Sequence, residues 1–170
     1  MATARALRLQ IGATQSVAIA LHEMIEVIEG VEPIQVPRAP RHCQTLVRWR
    51  DRLIPIFDLA NWCEFERGDA TAGVARFHAI LSYDSGDPDR PGYGCLALDA
   101  FPVAIAVDDQ MACALPAELW APVSLSCFRE GEAVLPVLHL AALFDPKVRG
   151  ADLAVEAAHY HHTSALALPA

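Results

Sequence analysis

The sequence predicts a mostly β protein, a sandwich or barrel of many short strands joined by brief helical turns. Three observations carry that expectation. Twelve prolines, at 33, 37, 40, 55, 88, 91, 102, 116, 122, 136, 146 and 169, break any long helix through the middle of the 170 residues. Apolar residues recur at the period of two that a half-buried strand requires. Finally, the segment LIPIFDLANW at 53–62 recurs as VLPVLHLAAL at 134–143, an offset of 81.

Each element follows from local pattern. Leu7, Leu9 and Ile11 alternate with Arg8 and Gln10 and give the first strand. Apolar runs at 17–21 and 25–28 give the next two. The run at 53–57 carries Pro55, which lacks an N–H and marks it as an edge-type strand, and a helical turn follows at 59–62. The polar stretch 64–73 reads as a surface connection between two units. Phe77, Ala79 and Leu81 then alternate with His78, Ile80 and Ser82. A loop at 84–94, with Gly86, Pro88, Pro91 and Gly92, leads into runs at 95–98, 103–107 and 134–138. The last of these has Pro136 in the place of Pro55, and its helical turn falls at 140–143.

The repeat is close in chemistry as well as in spacing. Pro, Leu and Ala are identical, five further positions exchange one apolar residue for another, and only Asp58/His139 and Asn61/Ala142 differ in character. A weaker echo, at an offset near 77, sets 17–21 against 94–98. The expectation is one domain over 1–150 built of two units, roughly 5–63 and 75–146. The tail 151–170, with Leu153, Val155 and Ala158 at helical spacing, reads as a short helix or a frayed end.

Composition excludes several functions. With 13 basic and 21 acidic side chains the net charge is −8, and the chain has no run of Lys or Arg to offer a nucleic-acid backbone its usual partner. No run approaches the roughly 20 apolar residues of a membrane span, and the first residues lack a signal-peptide core, so a cytoplasmic protein is expected. Five cysteines at wide spacings, with no Cys-x-x-Cys, read as reduced thiols, mostly small core residues. Gly92 and Gly94 flank a single tyrosine and form no phosphate loop.

The order of motifs resembles that of CheW-like domains. Met24-Ile25-Glu26-Val27, then Pro37 and Pro40, then LVRWRDRLIPIFDL at 46–59 follow the family's apolar-x-Glu-Val segment, proline-bounded turn and Asn-x-Arg-Gly hairpin leading into an apolar-Pro-apolar strand. Leu96-Ala97-Leu98-Asp99 and the run ending at Phe144 resemble its later segments, so the likeness covers about residues 5 to 146. It implies two side-by-side five-stranded SH3-like β-barrels, no catalytic centre, no cofactor and no metal. It also implies an adaptor coupling the cytoplasmic tip of a methyl-accepting chemoreceptor to the regulatory domain of a CheA-type histidine kinase at membrane-associated receptor arrays. The chain departs from the pattern at Arg48-Trp49-Arg50-Asp51, which keeps the arginine and loses the Asn and the Gly, so Asp51 is expected to carry the hairpin's positive φ. Thr45 stands where glycine is common and His139 where an acid is expected, which suggests a divergent adaptor, of a pilus-based or other chemosensory system.

The candidate partner-binding residues are Glu26, Val27 and Arg50, which the resemblance implies, with Arg48 and Asp51, whose extra charge changes the surface a partner would meet. Arg50 has two readings: a planar, multi-donor partner anchor, or a brace against Asp51 or Asp58. Glu26 should face away from Ile25 and Val27 into solvent, as an interface carboxylate or a plain solvated one. Trp49 and Trp62 read as core; Trp120, between Pro116 and Pro122, is the candidate exposed anchor, though core is the favoured reading for it too. A rival class is a metal- or thiol-dependent enzyme using His42, Cys43 or the tail's His159, His161 and His162. A third is a small-ligand binder on the same fold.

Overall fold

The computed structural model describes residues 3–63 and 75–147. Leu7 and Leu9 turn inward along β1 (Thr3–Gln10) and oppose Ile19 and Val17 of β2 (Ser16–Ala20), as the alternation requires. After a single 3-10 turn come β3 (Met24–Glu29), the two-residue β4 (Ile34–Gln35), β5 (Thr45–Trp49), β6 (Arg52–Phe57) and the one-turn helix α1 (Leu59–Trp62). The second half runs β7 (Phe77–Tyr83), β8 (Gly92–Leu98), β9 (Val103–Asp108), β10 (Ser124–Glu130), β11 (Ala133–Leu138) and α2 (Leu140–Leu143). No helix among the described residues is long and apolar enough to cross a membrane.

These strands form two sheets, in the orders β10-β11-β2-β1-β9 and β3-β7-β8-β6-β5-β4. The predominantly β fold is as the sequence predicts, with one sheet of five strands and a second that gains a sixth in the short β4. The division into contiguous units at 5–63 and 75–146 is corrected. β1 and β2 of the first half join β9, β10 and β11 of the second, while β7 and β8 join β3 to β6. The exchange occurs at two parallel contacts, Ile56↔Cys95 and Val137↔Ala18, which are equivalent positions of the sequence repeat and its weaker echo.

The repeat is a structural one. Asp58 (φ −103°, ψ 94°) and His139 (φ −95°, ψ 91°) hold nearly the same backbone conformation ahead of α1 and α2. Their N–H groups also donate to equivalent carbonyls, those of His42 and Val123, each at 2.8 Å. Only the cap chemistry differs: Asp58 Oδ1 accepts from the Asn61 N–H at 3.0 Å, whereas His139 makes no side-chain cap. The edge reading of the prolines fails, because β6 and β11 are both internal. Pro55 and Pro136 each stand one residue before the parallel contact, so neither missing N–H falls on a paired position of that ladder.

The main core lies between the sheets and is threaded by aromatic rings. Tyr83 stacks on Phe144 at 5.3 Å, Phe144 meets Phe57 edge-on at 6.3 Å, Phe57 meets Trp62 at 6.0 Å and Trp62 meets Trp120 at 6.2 Å. Trp120 is only 3% exposed, so it is core and not a surface anchor. β7 is not half-buried: Ala79 and Leu81 face this main core while Ile80 faces a second cluster inside the β3–β8 sheet. A strand with a core on each side loses the polar face that alternation implies.

The turn before β3 carries a pH-dependent contact. Glu23 accepts the Ala20 N–H at 2.8 Å, and burial raises its pKa above 4.5, with that hydrogen bond, His22 and His139 pulling the other way. A carboxyl with a raised folded pKa contributes stability below the unfolded pKa and loses it as pH rises through the folded one. Glu23→Gln keeps an acceptor oxygen and removes the titration. Its stability relative to wild type should therefore increase as pH is raised above 4.5, measured by urea midpoints at pH 4 and pH 7.

Candidate functional site

The hairpin of β5 and β6 projects the most concentrated positive charge of an acidic chain. Its register ends at Trp49↔Arg52, which leaves a two-residue loop of Arg50 and Asp51. Such loops need a positive φ at the first position, or at both, to match strand twist. Here Arg50 takes it, at 51°, and Asp51 does not, which corrects the expectation that Asp51 would. The guanidinium of Arg50 folds back over the Trp49 ring, 4.3 Å from its centroid. Among the described residues Arg50 forms no ion pair with Asp51 or Asp58, so the bracing contact is cationic and aromatic. A left-handed residue costs about 1–2 kcal/mol and an exposed cation–π contact returns about 0.5–1 kcal/mol. Arg50→Gly loses both terms, and its unfolding free energy should lie within about 1 kcal/mol of wild type.

Trp49 is the support beneath this loop. Its ring is buried with Val47, Ile54, Ile56 and Ile80 in the second cluster and tilts against Tyr93 of β8, 5.1 Å away. Arg52, opposite it, lies over the Tyr93 ring at 5.1 Å. Two arginines thus sit on two aromatic faces side by side. The Trp49 Nε1 donates to Glu26 Oε1 at 2.8 Å. Since β3 and β5 are separated in the sheet by β7, β8 and β6, this bond shows the sheet curling until β3 faces β5.

Glu26 is therefore exposed, as expected, but bonded, and the plain solvated reading is corrected. Its neighbours are not both on the opposite face, because the β3–β7 register shifts between Met24 and Glu26 and leaves Ile25 40% exposed. Val27 is half-buried and pairs with Ala79. Arg48 and Asp51 are exposed and border one shallow hollow with Arg50, Arg52 and Leu53, the last 54% exposed. The structure thus assembles Glu26 with the hairpin and adds Arg52, Leu53 and Tyr93, which sequence reasoning missed. Arg52 was recoverable, because a loop at 50–51 places residue 52 across from Trp49; Tyr93 arrives from the other half of the chain and carried no such signal.

The residues of the rival enzyme reading are placed differently. His42 is buried with its ring 5.1 Å from that of Phe57. Among the described residues no three His, Cys, Asp or Glu side chains gather as a metal site. Burial pushes the thiols of Cys63, Cys95 and Cys127 up to about 12, the opposite of an activated nucleophile. His159, His161 and His162 lie outside the described residues.

Comparison with known proteins accords with the fold. The family described as CheW-like domain matches residues 5–148. Among solved structures, the scaffolding protein TtCheW from Thermoanaerobacter tengcongensis superposes with a TM-score of 0.65 at 17% identity, covering 87% of this chain and 92% of that one. No curated protein matches in sequence. Two sheets that exchange strands and a family match over almost the whole described chain lead to one assignment: the protein belongs to the CheW-like domain family.

Proposed function

We propose that the protein is a non-catalytic cytoplasmic adaptor that couples a methyl-accepting chemoreceptor tip to the regulatory domain of a CheA-type histidine kinase, recruited to receptor arrays. Family membership supports the class of function. The observation that carries the site is the hairpin platform, an exposed Arg50 held over a Trp49 that is itself bonded to Glu26. A guanidinium already ordered on an aromatic face loses little side-chain entropy on docking, and arginine is a favoured hot-spot residue. Arg48, Arg52 and Leu53 extend the contact with charge and apolar area, while Asp51 adds an opposite charge that narrows the choice of partner. Signal passes as differential contact: a receptor conformation that binds this platform more tightly shifts the attached kinase toward the matching state.

Titration calorimetry with a purified kinase regulatory domain and a receptor-tip fragment tests this. Arg50→Glu should weaken at least one complex by about tenfold or more, equivalent to about 1.4 kcal/mol, with the circular dichroism of wild type. Arg50→Gly, neutral for folding, should weaken the same complex less than the charge reversal does. Unchanged binding by a folded Arg50→Glu would remove the hairpin from the interface. A folded wild type that binds neither partner would overturn the adaptor reading itself.

A further inference from the structure

Two cysteines 14 positions apart in sequence meet beside β10, a strand of the sheet that does not carry the hairpin platform. Cys113 follows the 3-10 turn after β9, and Cys127 lies in β10. Ala112 and Phe128 form an antiparallel bridge, which sets Cys113 directly opposite Cys127, and the Cys113 N–H donates to the Cys127 carbonyl at 3.0 Å. Residues directly opposite in an antiparallel pair point to the same face, and a hydrogen-bonded pair has its Cα atoms about 5.5 Å apart, within the span a disulfide bridges. The two sulfurs are already in contact, Sγ to Sγ at 3.6 Å.

We propose that Cys113 and Cys127 are an oxidant-responsive thiol pair that closes to a reversible disulfide, stapling the segment after β9 to β10. The sulfurs need only approach to about 2.05 Å, which side-chain rotation supplies. Cys113 is half-buried and Cys127 buried, so Cys113 meets a reagent first. Cys127 borders an open hollow of about 490 Å³ together with Ala112, Ser126 and Val137. Burial and the neighbouring Cys113 thiol raise the pKa of Cys127, which makes Cys127 the second of the two thiols to react.

The oxidant is a low-molecular-weight disulfide. The Cys113 thiolate attacks one of its sulfurs, forming a mixed disulfide and releasing one thiolate. Cys127 then loses its proton, attacks Cys113 Sγ and displaces the second thiolate. One protein disulfide forms, one reagent disulfide is reduced to two thiols, and the two protons from the cysteines end on those thiols. A bond of this kind in a reducing compartment is transient and sensing rather than structural.

The staple ties the segment after β9 to β10, an outer strand of the β10-β11-β2-β1-β9 sheet, and constrains a loop of about 15 residues in the unfolded chain. The thermal midpoint should rise by about 6–12 °C.

The test equilibrates the full chain in glutathione buffers of increasing oxidised fraction, quenches it with acid and N-ethylmaleimide, and maps peptides by mass spectrometry. The expected product is a cross-linked pair of peptides carrying Cys113 and Cys127, with two hydrogens lost, reversed by dithiothreitol and accompanied by the rise in midpoint. Cys127→Ser should trap Cys113 as its glutathione adduct and abolish the rise, and Cys113→Ser, the less buried substitution, should abolish it equally, which keeps the test decisive where Cys127→Ser fails to fold. Cys43→Ser should leave cross-link and rise intact. Both thiols alkylated after equilibration in fully oxidised glutathione, a cross-link to another cysteine, or a rise that persists in Cys113→Ser would each overturn the proposal.

Discussion

Gly94→Ala is expected to lower the unfolding free energy by about 3 kcal/mol, the upper end of the usual cost of overpacking a core. Gly94 is buried in β8, and a Cβ there would stand inside contact distance of Cε2, Cζ and Cε1 of the Phe144 ring. That ring has nowhere to move. It is stacked on Tyr83, meets Phe57 edge-on, and is fixed by the turn in which its own N–H donates to Leu140 O at 2.9 Å. β8 also supplies the parallel contact at Cys95, one residue along, so a displaced strand would loosen the exchange that joins the halves of the chain. Urea denaturation should show a lower midpoint with an unchanged slope. Phe144→Leu should be destabilising alone yet partly rescue Gly94→Ala. A coupling of about 0.5–3 kcal/mol in that double-mutant cycle would identify the ring as the obstacle, whereas strict additivity would exonerate it.

Gly94 shows what was legible in the sequence and what was not. The repeat at 53–62 and 134–143 gave two like units, each a proline-bearing strand turning into one helical turn, down to equivalent backbone hydrogen bonds at Asp58 and His139. The fainter echo between 17–21 and 94–98 marked the strands that lie parallel to those units. What a repeat cannot say is which copy closes which sheet, because identical units offer identical hydrogen-bonding edges. Packing of distant residues decides, and here it crosses the halves. The aromatic contacts failed to show for the same reason: Tyr93 and Trp49 come from different halves, and Trp120 looked like loop because prolines flank it. The 3-10 turn Glu118–Val123 accounts for Trp120, since residues three apart share a face in that helix and both Trp120 and Val123 point inward. The hairpin itself was readable, but the residue bearing its positive φ depended on where the two-residue loop falls, and a shift of one position moved it from Asp51 to Arg50.

Trp49→Ala should cost about 3–5 kcal/mol, since it empties the centre of the second cluster, and should also dismantle the binding platform. Trp49→Phe separates the two effects. It retains a ring under Arg50 and against Tyr93 but removes the Nε1 donor, leaving Glu26 exposed to water and able to resolvate, so the loss should be about 1–2 kcal/mol. If the platform works by ordering Arg50 on an aromatic face, Trp49→Phe should bind the proposed partners nearly as well as wild type. The alanine variant, compared at a temperature where it remains folded, should bind as poorly as one lacking the Arg50 guanidinium. Combining Trp49→Ala with Arg50→Gly should then weaken binding scarcely more than either alone, because both remove one ordered cation. Additive losses would mean instead that Arg50 reaches its partner without the ring, and that the burial of Trp49 serves the barrel alone.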